Sequence, residues 1–157
     1  MARPIPRSLN FPGGVIDGSR HLYAVRVYYE DTDLSGITYH ANYLRWFERA
    51  RSDLLRLLEI DQRSAIEKEE GAYAVTEMSI KYVSPAKLDD DVVIETTASQ
   101  VGAASVRMEQ IAKRGEDVLA TAEVRAGFLT PEGRPRRQPA EWVTSFKEFM
   151  DEEDTNE

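Results

Sequence analysis

Cysteine is absent from this chain. That excludes disulfides, thiolate catalysis, zinc–thiolate sites and iron–sulfur clusters. Long apolar runs are absent too. None approaches the roughly 20 residues of a membrane-spanning helix, and residues 1–20 hold no continuous apolar stretch of the secretory kind. Positive charge is in deficit, with 20 Lys and Arg against 28 Asp and Glu and a formal net charge of −8. A general nucleic-acid binder needs a basic face to neutralise phosphates, so nucleic acid is not an expected partner. Much of the acidity lies in residues 151–157, and the body is closer to neutral. A glycine-rich phosphate loop of the P-loop or dinucleotide type is also missing. The expectation is a soluble, cytoplasmic protein.

What is present suits a single packed domain: 157 residues, 41% hydrophobic and 31% charged. Residues 1–20, rich in Pro, Gly and Arg, read as a flexible N-terminal arm. Residues 21–150 read as the domain and residues 151–157 as an acidic tail. Leu22 to Tyr29 alternates as a strand does. Tyr43 to Leu58 carries an apolar face of Tyr43, Leu44, Phe47, Leu54, Leu55 and Leu58 at helical spacing, with Asn42 as its expected N-cap and Asp53 pointing away from the face's centre. Glu48 and Arg51 interrupt this face three residues apart, where they can pair. A shorter helix is expected over Ser64 to Glu70.

After Gly71 the period changes to two. Strands are expected over Tyr73–Ser84, Val92–Val101, Ala104–Lys113 and Asp117–Leu129, then a short helix over Glu141–Met150. In the first of these, Ala74, Thr76, Met78, Ile80 and Tyr82 should share a face. One strand, a long helix and a run of strands joined by short turns make an α+β pattern of about five strands. An antiparallel sheet curling round the long helix would cover its apolar face, and dimerisation would pair the free edges.

Between the first strand and the long helix lies the densest chemistry, from Tyr28 through Glu30, Asp31, Asp33, Gly36, Tyr39 and His40 to Asn42 and Tyr43. A strand that delivers carboxylates and an imidazole to a helix start suits a hydrolytic site. The helix start supplies N–H donors and partial positive charge, and a carboxylate supplies a base or nucleophile. Gly36 lets the backbone turn tightly. Tyr39 and the amides of residues 39–42 are candidates for polarising a carbonyl. Asp31 suits a turn-forming role. A metal site of Asp31, Asp33 and His40 is discounted, because no further ligands stand at recognisable spacing. His21, the other histidine, has no evident partner. Arg134, Arg136 and Arg137 either grip phosphates, as guanidinium groups do well, or form a solvated basic loop.

The run Tyr29-x-Asp31-Thr32-Asp33-x-x-Gly36-x-x-Tyr39-His40-x-x-Tyr43-Leu44-x-x-x-Glu48-x-Ala50-Arg51 closely resembles the hotdog-fold acyl-CoA thioesterases of the Tol–Pal-associated type, relatives of the 4-hydroxybenzoyl-CoA thioesterases. Lys81-Tyr82-x-x-Pro85-Ala86-x-Leu88-Asp89-Asp90 is similar to that family's second signature. The resemblance spans about Leu22 to Leu129. It implies a long central helix wrapped by a curved antiparallel sheet, and hydrolysis of acyl-CoA to free acid and CoA. Asp33 would be nucleophile or general base, and His40 would bind the carbonyl oxygen or handle protons. Gly36, Tyr39 and Asn42 would position the substrate, and Arg136 and Arg137 are candidates for the CoA phosphates. A related branch uses a helix carboxylate, which makes Glu48 the alternative. No metal or separate cofactor is implied, CoA being part of the substrate. The implied partners are a second copy and a dimer of dimers, a tetramer. The rivals are hydrolysis of acyl-carrier-protein thioesters, and a non-catalytic acyl-thioester binding or scaffold role beside the cell-envelope machinery.

Overall fold

Helix α1 (Asn42–Leu57) is the element round which the sheet bends. Its buried residues Tyr43, Trp46, Phe47, Ala50 and Leu54 follow the three-and-four spacing of one helical face. Trp46 and Ala50 join the expected stripe, whereas Leu44 stays exposed at its margin. The computed structural model describes residues 2–152; Met1 and residues 153–157, which hold most of the expected acidic tail, lie outside the described residues.

Among the described residues six strands form one antiparallel sheet: β1 (Val15–Asp17), β2 (Arg20–Arg26), β3 (Ala72–Tyr82), β4 (Asp91–Val101), β5 (Ser105–Arg114) and β6 (Asp117–Leu129), in the order β1-β2-β4-β5-β6-β3. The expected count of about five becomes six because Val15–Asp17, within the expected arm, pairs with β2. Three residues are too few to display a period. Strand β2 ends at Arg26 rather than Tyr29, because Tyr29–Asp31 winds into a single 3-10 turn.

Bulges interrupt the ladder at Val75/Glu77, Ala98/Gln100 and Ala112/Lys113, and bulges bend strands. The first also corrects the expected alternation of β3. Half-buried Tyr73 joins the side of half-buried Met78 and Ile80, while Ala74 and Thr76 are exposed. An inserted residue reverses the phase on one side of it.

The core has two parts. Trp46, Phe47, Ile94, Leu119 and Val124 pack beneath the first half of α1. Leu54, Leu55, Val106, Met108, Phe146 and Phe149 pack beneath its second half. The last two belong to α3 (Ala140–Asp151). Helix α2 (Gln62–Glu67) is capped by Asp61, whose carboxylate accepts the Ser64 N–H at 3.0 Å.

His21 does have a partner. It is fully buried, with Nε2 2.7 Å from Asp53 Oδ2. The Gly14 N–H donates to the same oxygen at 2.9 Å. Asp53 is therefore buried, not turned away, because these donors reach it from a hairpin distant in sequence. A Cβ at position 14 would stand 2.2 Å from the Leu22 carbonyl oxygen, so glycine alone permits this approach.

Candidate active site

The link from β2 to α1 is a small hairpin built on its own hydrogen bonds. Thr32 bridges Thr38, and Ile37 bridges Lys87. At the tip, the Asp33 N–H donates to the Ile37 carbonyl and the Gly36 N–H to the Asp33 carbonyl, both at 3.0 Å. Gly36 takes φ 81°, the left-handed conformation this turn needs.

Asp31 is the internal hinge pin of the loop. Its buried carboxylate accepts the Tyr28 N–H at 2.8 Å and a hydrogen from the Asn42 side-chain amide. Its carbonyl accepts the Tyr39 N–H at 2.8 Å. Asn42 is thus not the N-cap. It is the first residue of α1, and Ala41, which offers no side-chain cap, precedes it. The side-chain amide of Asn42 is engaged by the Asp31 carboxylate.

Asp33 stands at the exposed tip. Its carboxylate accepts the Ser35 N–H at 2.8 Å and the Ser35 hydroxyl. These two bonds hold the Asp33 carboxyl below the usual carboxylate range, and the charge of nearby His40 acts in the same direction. The His40 ring lies 4.6 Å from the Tyr39 ring and 6.2 Å from the Tyr82 ring, edge-on to the latter. Tyr82 at the end of β3 donates its hydroxyl hydrogen to the His40 carbonyl at 2.8 Å. Burial raises the Tyr82 phenol. Tyr39 and His40 lead directly into α1, whose start carries no side-chain cap, while Asp33 and Gly36 stand at the tip of the hairpin before it.

Glu48 lies further along α1. It lines an open groove of about 480 Å³ between α1 and β3, together with Arg51 and apolar residues such as Leu44, Met78 and Phe146. The expected Glu48–Arg51 pair is not made. Arg51 Nη1 instead donates to Gln110 Oε1 at 2.9 Å, and among the described residues no carboxylate oxygen lies within 4.0 Å of the guanidinium.

The loop of Arg134, Arg136 and Arg137 sits at the other end of β3. Ala72 pairs with Leu129 there, whereas Tyr82 pairs with Ala120 near the hairpin. Ten residues of strand separate the two ends by roughly 33 Å. Within one chain these arginines are not brought to Asp33. Arg136 also donates to the carbonyls of Glu69 and Glu70. Two contributors escaped sequence reasoning. Ser35 carried a signal, since Asp followed two residues on by Ser is a turn pattern. Tyr82 carried none, because its contact with His40 spans 42 residues.

A long helix gripped by one curved antiparallel sheet is the hotdog fold, here entered through a hairpin with a carboxylate at its tip and an imidazole two residues before the helix. Residues 35–124 match the model of the Thioesterase superfamily, and the chain belongs to that family. It is 44% identical over 107 residues to the acyl-CoA thioesterase YbgC of Haemophilus influenzae, covering 68% of this chain and 79% of that one. It is 38% identical over 128 residues to the acyl-CoA thioester hydrolase YbgC of Escherichia coli O6:H1, covering 80% and 95%. A solved structure of a probable thioesterase from Bartonella henselae superposes with a TM-score of 0.73 at 40% identity, covering 76% of this chain and 99% of that one. Among the described residues no helix is long and apolar enough to cross a membrane.

Proposed function

We propose that this protein hydrolyses acyl-CoA thioesters to a free acid and CoA, with Asp33 as the reacting carboxylate. The supporting observation is the Asp33 carboxylate, steadied by Ser35 and held below the usual carboxylate range, at the tip of the hairpin that leads through His40 into the uncapped start of α1. A thioester carbonyl is electrophilic enough for a carboxylate to suffice when an oxyanion site is close. As general base, Asp33 takes a proton from water while the hydroxide oxygen bonds to the carbonyl carbon. The oxyanion is held by amides at the α1 start, with Tyr39 and His40 alongside. When it collapses, the C–S bond breaks and the CoA thiolate takes up the proton. As nucleophile, Asp33 itself displaces the thiolate, and water then splits the resulting anhydride. The kinship with acyl-CoA thioester hydrolases supports the CoA thioester as substrate.

The working unit is a homodimer. Strand β3 is a long edge strand with exposed Val75, and a free edge of this kind invites a second copy. Antiparallel pairing of two β3 edges would carry the Arg134–Arg137 loop of one copy toward the Asp33 hairpin of the other. That makes Arg137 a candidate for the CoA phosphates and leaves Arg136 to hold the loop. Dimers pairing again would give the tetramer.

A panel of acyl-CoA and acyl-carrier-protein thioesters, scored by released thiol on wild type and Asp33→Asn, tests the reading. Hydrolysis lost in Asp33→Asn supports it. Unchanged hydrolysis removes Asp33 from the chemistry and makes Glu48 the next carboxylate to test. Binding without turnover in wild type favours a scaffold. Single turnover in heavy-oxygen water separates the two modes of attack, since label enters the Asp33 carboxylate only through the anhydride.

A further inference from the structure

The groove beside α1 contains an arrangement that thioester cleavage at the helix start does not use. Gln110 is fully buried, and both hydrogens of its amide are spent: Nε2 donates to the Phe47 carbonyl at 2.9 Å and to Thr96 Oγ1 at 3.0 Å. Its remaining atom, Oε1, is thereby aimed at Arg51 Nη1 at 2.9 Å. A guanidinium has five N–H donors. This one is half-buried in an apolar groove, fixed through one neutral acceptor, with no carboxylate oxygen within 4.0 Å among the described residues. Glu48, three residues earlier on the same helix, lines the same groove with its carboxylate free of side-chain hydrogen bonds among the described residues. Burial disfavours the Arg51 charge while Glu48 favours it, so the pair is coupled through the groove without touching.

We propose that Glu48 and Arg51 read a mid-chain hydroxyl on an aliphatic acyl group that lies along α1 with its thioester at the helix start. This rests on the thioesterase reading and names the substrate class for that site. A hydroxyl both donates and accepts. Arg51 offers donors and the exposed Glu48 an acceptor, so a hydroxyl satisfies both, whereas a methylene leaves the half-buried Arg51 donors unmet and a carboxylate meets Glu48 as a like charge. The groove runs from Leu44 to Leu55, roughly 16 Å of helix at 1.5 Å per residue. That length, with Leu and Met linings, suits a chain. Gln110 ties the Arg51 head to the level of Phe47, which is roughly 8 Å along the axis from Asn42. The hydroxyl that fits therefore sits well down the chain and not beside the thioester.

The test is a set of straight-chain acyl-CoA thioesters of one length, plain or with a single hydroxyl moved stepwise along the chain, compared by kcat/KM on wild type, Arg51→Met and Glu48→Gln. In wild type a mid-chain hydroxyl should win over the plain chain by about tenfold or more, the scale of one net hydrogen bond to a charged group. Arg51→Met should flatten the profile and raise the plain chain relative to the hydroxylated one. Glu48→Gln should lower the peak without moving it. Efficient hydrolysis with a flat profile in wild type overturns this proposal alone, and so does a peak that survives in folded Arg51→Met. If Arg51→Met does not fold, the wild-type profile carries the test. A dimer weakened by Arg51→Met with the profile intact would mean that a second copy fills the groove, which also overturns the proposal. No hydrolysis of any thioester overturns the thioesterase reading and this one with it.

Discussion

The chain has only two histidines, and each lies beside an aspartate in an opposite setting. His21 and Asp53 are buried at 2.7 Å from one another, and the Gly14 amide closes the pair from a third direction. Asp33 and His40 are exposed, and each is held by a different neighbour, Asp33 by Ser35 and the His40 carbonyl by Tyr82. The first pair has no room for a substrate and ties the β1–β2 hairpin to α1. The second pair has its reactive groups open to whatever approaches the hairpin. The same residue types thus serve structure when neighbours enclose them, and suit chemistry when the neighbours stop at one side.

Breaking either pair should have a different readout. Asp33→Asn should cut turnover by about 10² to 10⁴, the usual range for a positioned acid or base, with the melting temperature unchanged, since an Asn carbonyl still accepts from Ser35. A loss of stability instead would erase the contrast between the pairs. His21→Ala should leave the chemistry alone and cost about 3–5 kcal/mol in denaturant unfolding, because Asp53 is then buried without its partner. Asp31→Ala strands the Tyr28 amide and releases Asn42, at a cost of about 1–3 kcal/mol. It should also lower kcat in the folded protein, because the hairpin is no longer pinned to α1.

The smallest effect is the most specific. Ser35→Ala removes the largest cause of the lowered Asp33 pKa. A lowered pKa keeps the carboxylate ionised to more acid pH, so activity in wild type should fall only below the ordinary Asp value of about 3.9. In Ser35→Ala the acid limb of the kcat/KM profile should move upward toward that value. A limb that stays put would mean that a group other than Asp33 sets it.

The legibility of the fold differed by region. The apolar stripe of α1 and the alternation over most of β4 to β6 were readable because their periods are long and their faces are buried by neighbours on one side, although the bulges at Ala98/Gln100 and Ala112/Lys113 were not. The phase of β3 was not, since a single inserted residue at Val75/Glu77 leaves no mark on composition. Strand β1 was hidden for want of length. At the site, Asp31 was readable as a turn former because turn chemistry is local, whereas Asp33 was singled out only by the family resemblance. Asn42 misled, because an amide just before an apolar run suits a cap equally well, and its actual acceptor lies eleven residues back.

Sequence alone determined the class of fold, the hairpin-to-helix motif and the family resemblance, since these follow from periodicity and from side chains close together along the chain. Tertiary structure alone decided that His21 meets Asp53, that Tyr82 backs His40, that Arg51 turns to Gln110 and not to Glu48, and that the arginine loop lies a strand's length from Asp33. The physical reason is the reach of each interaction: local spacing specifies hydrogen bonds within a turn, but a contact across the sheet exists only once register and bulges have set which residues stand opposite.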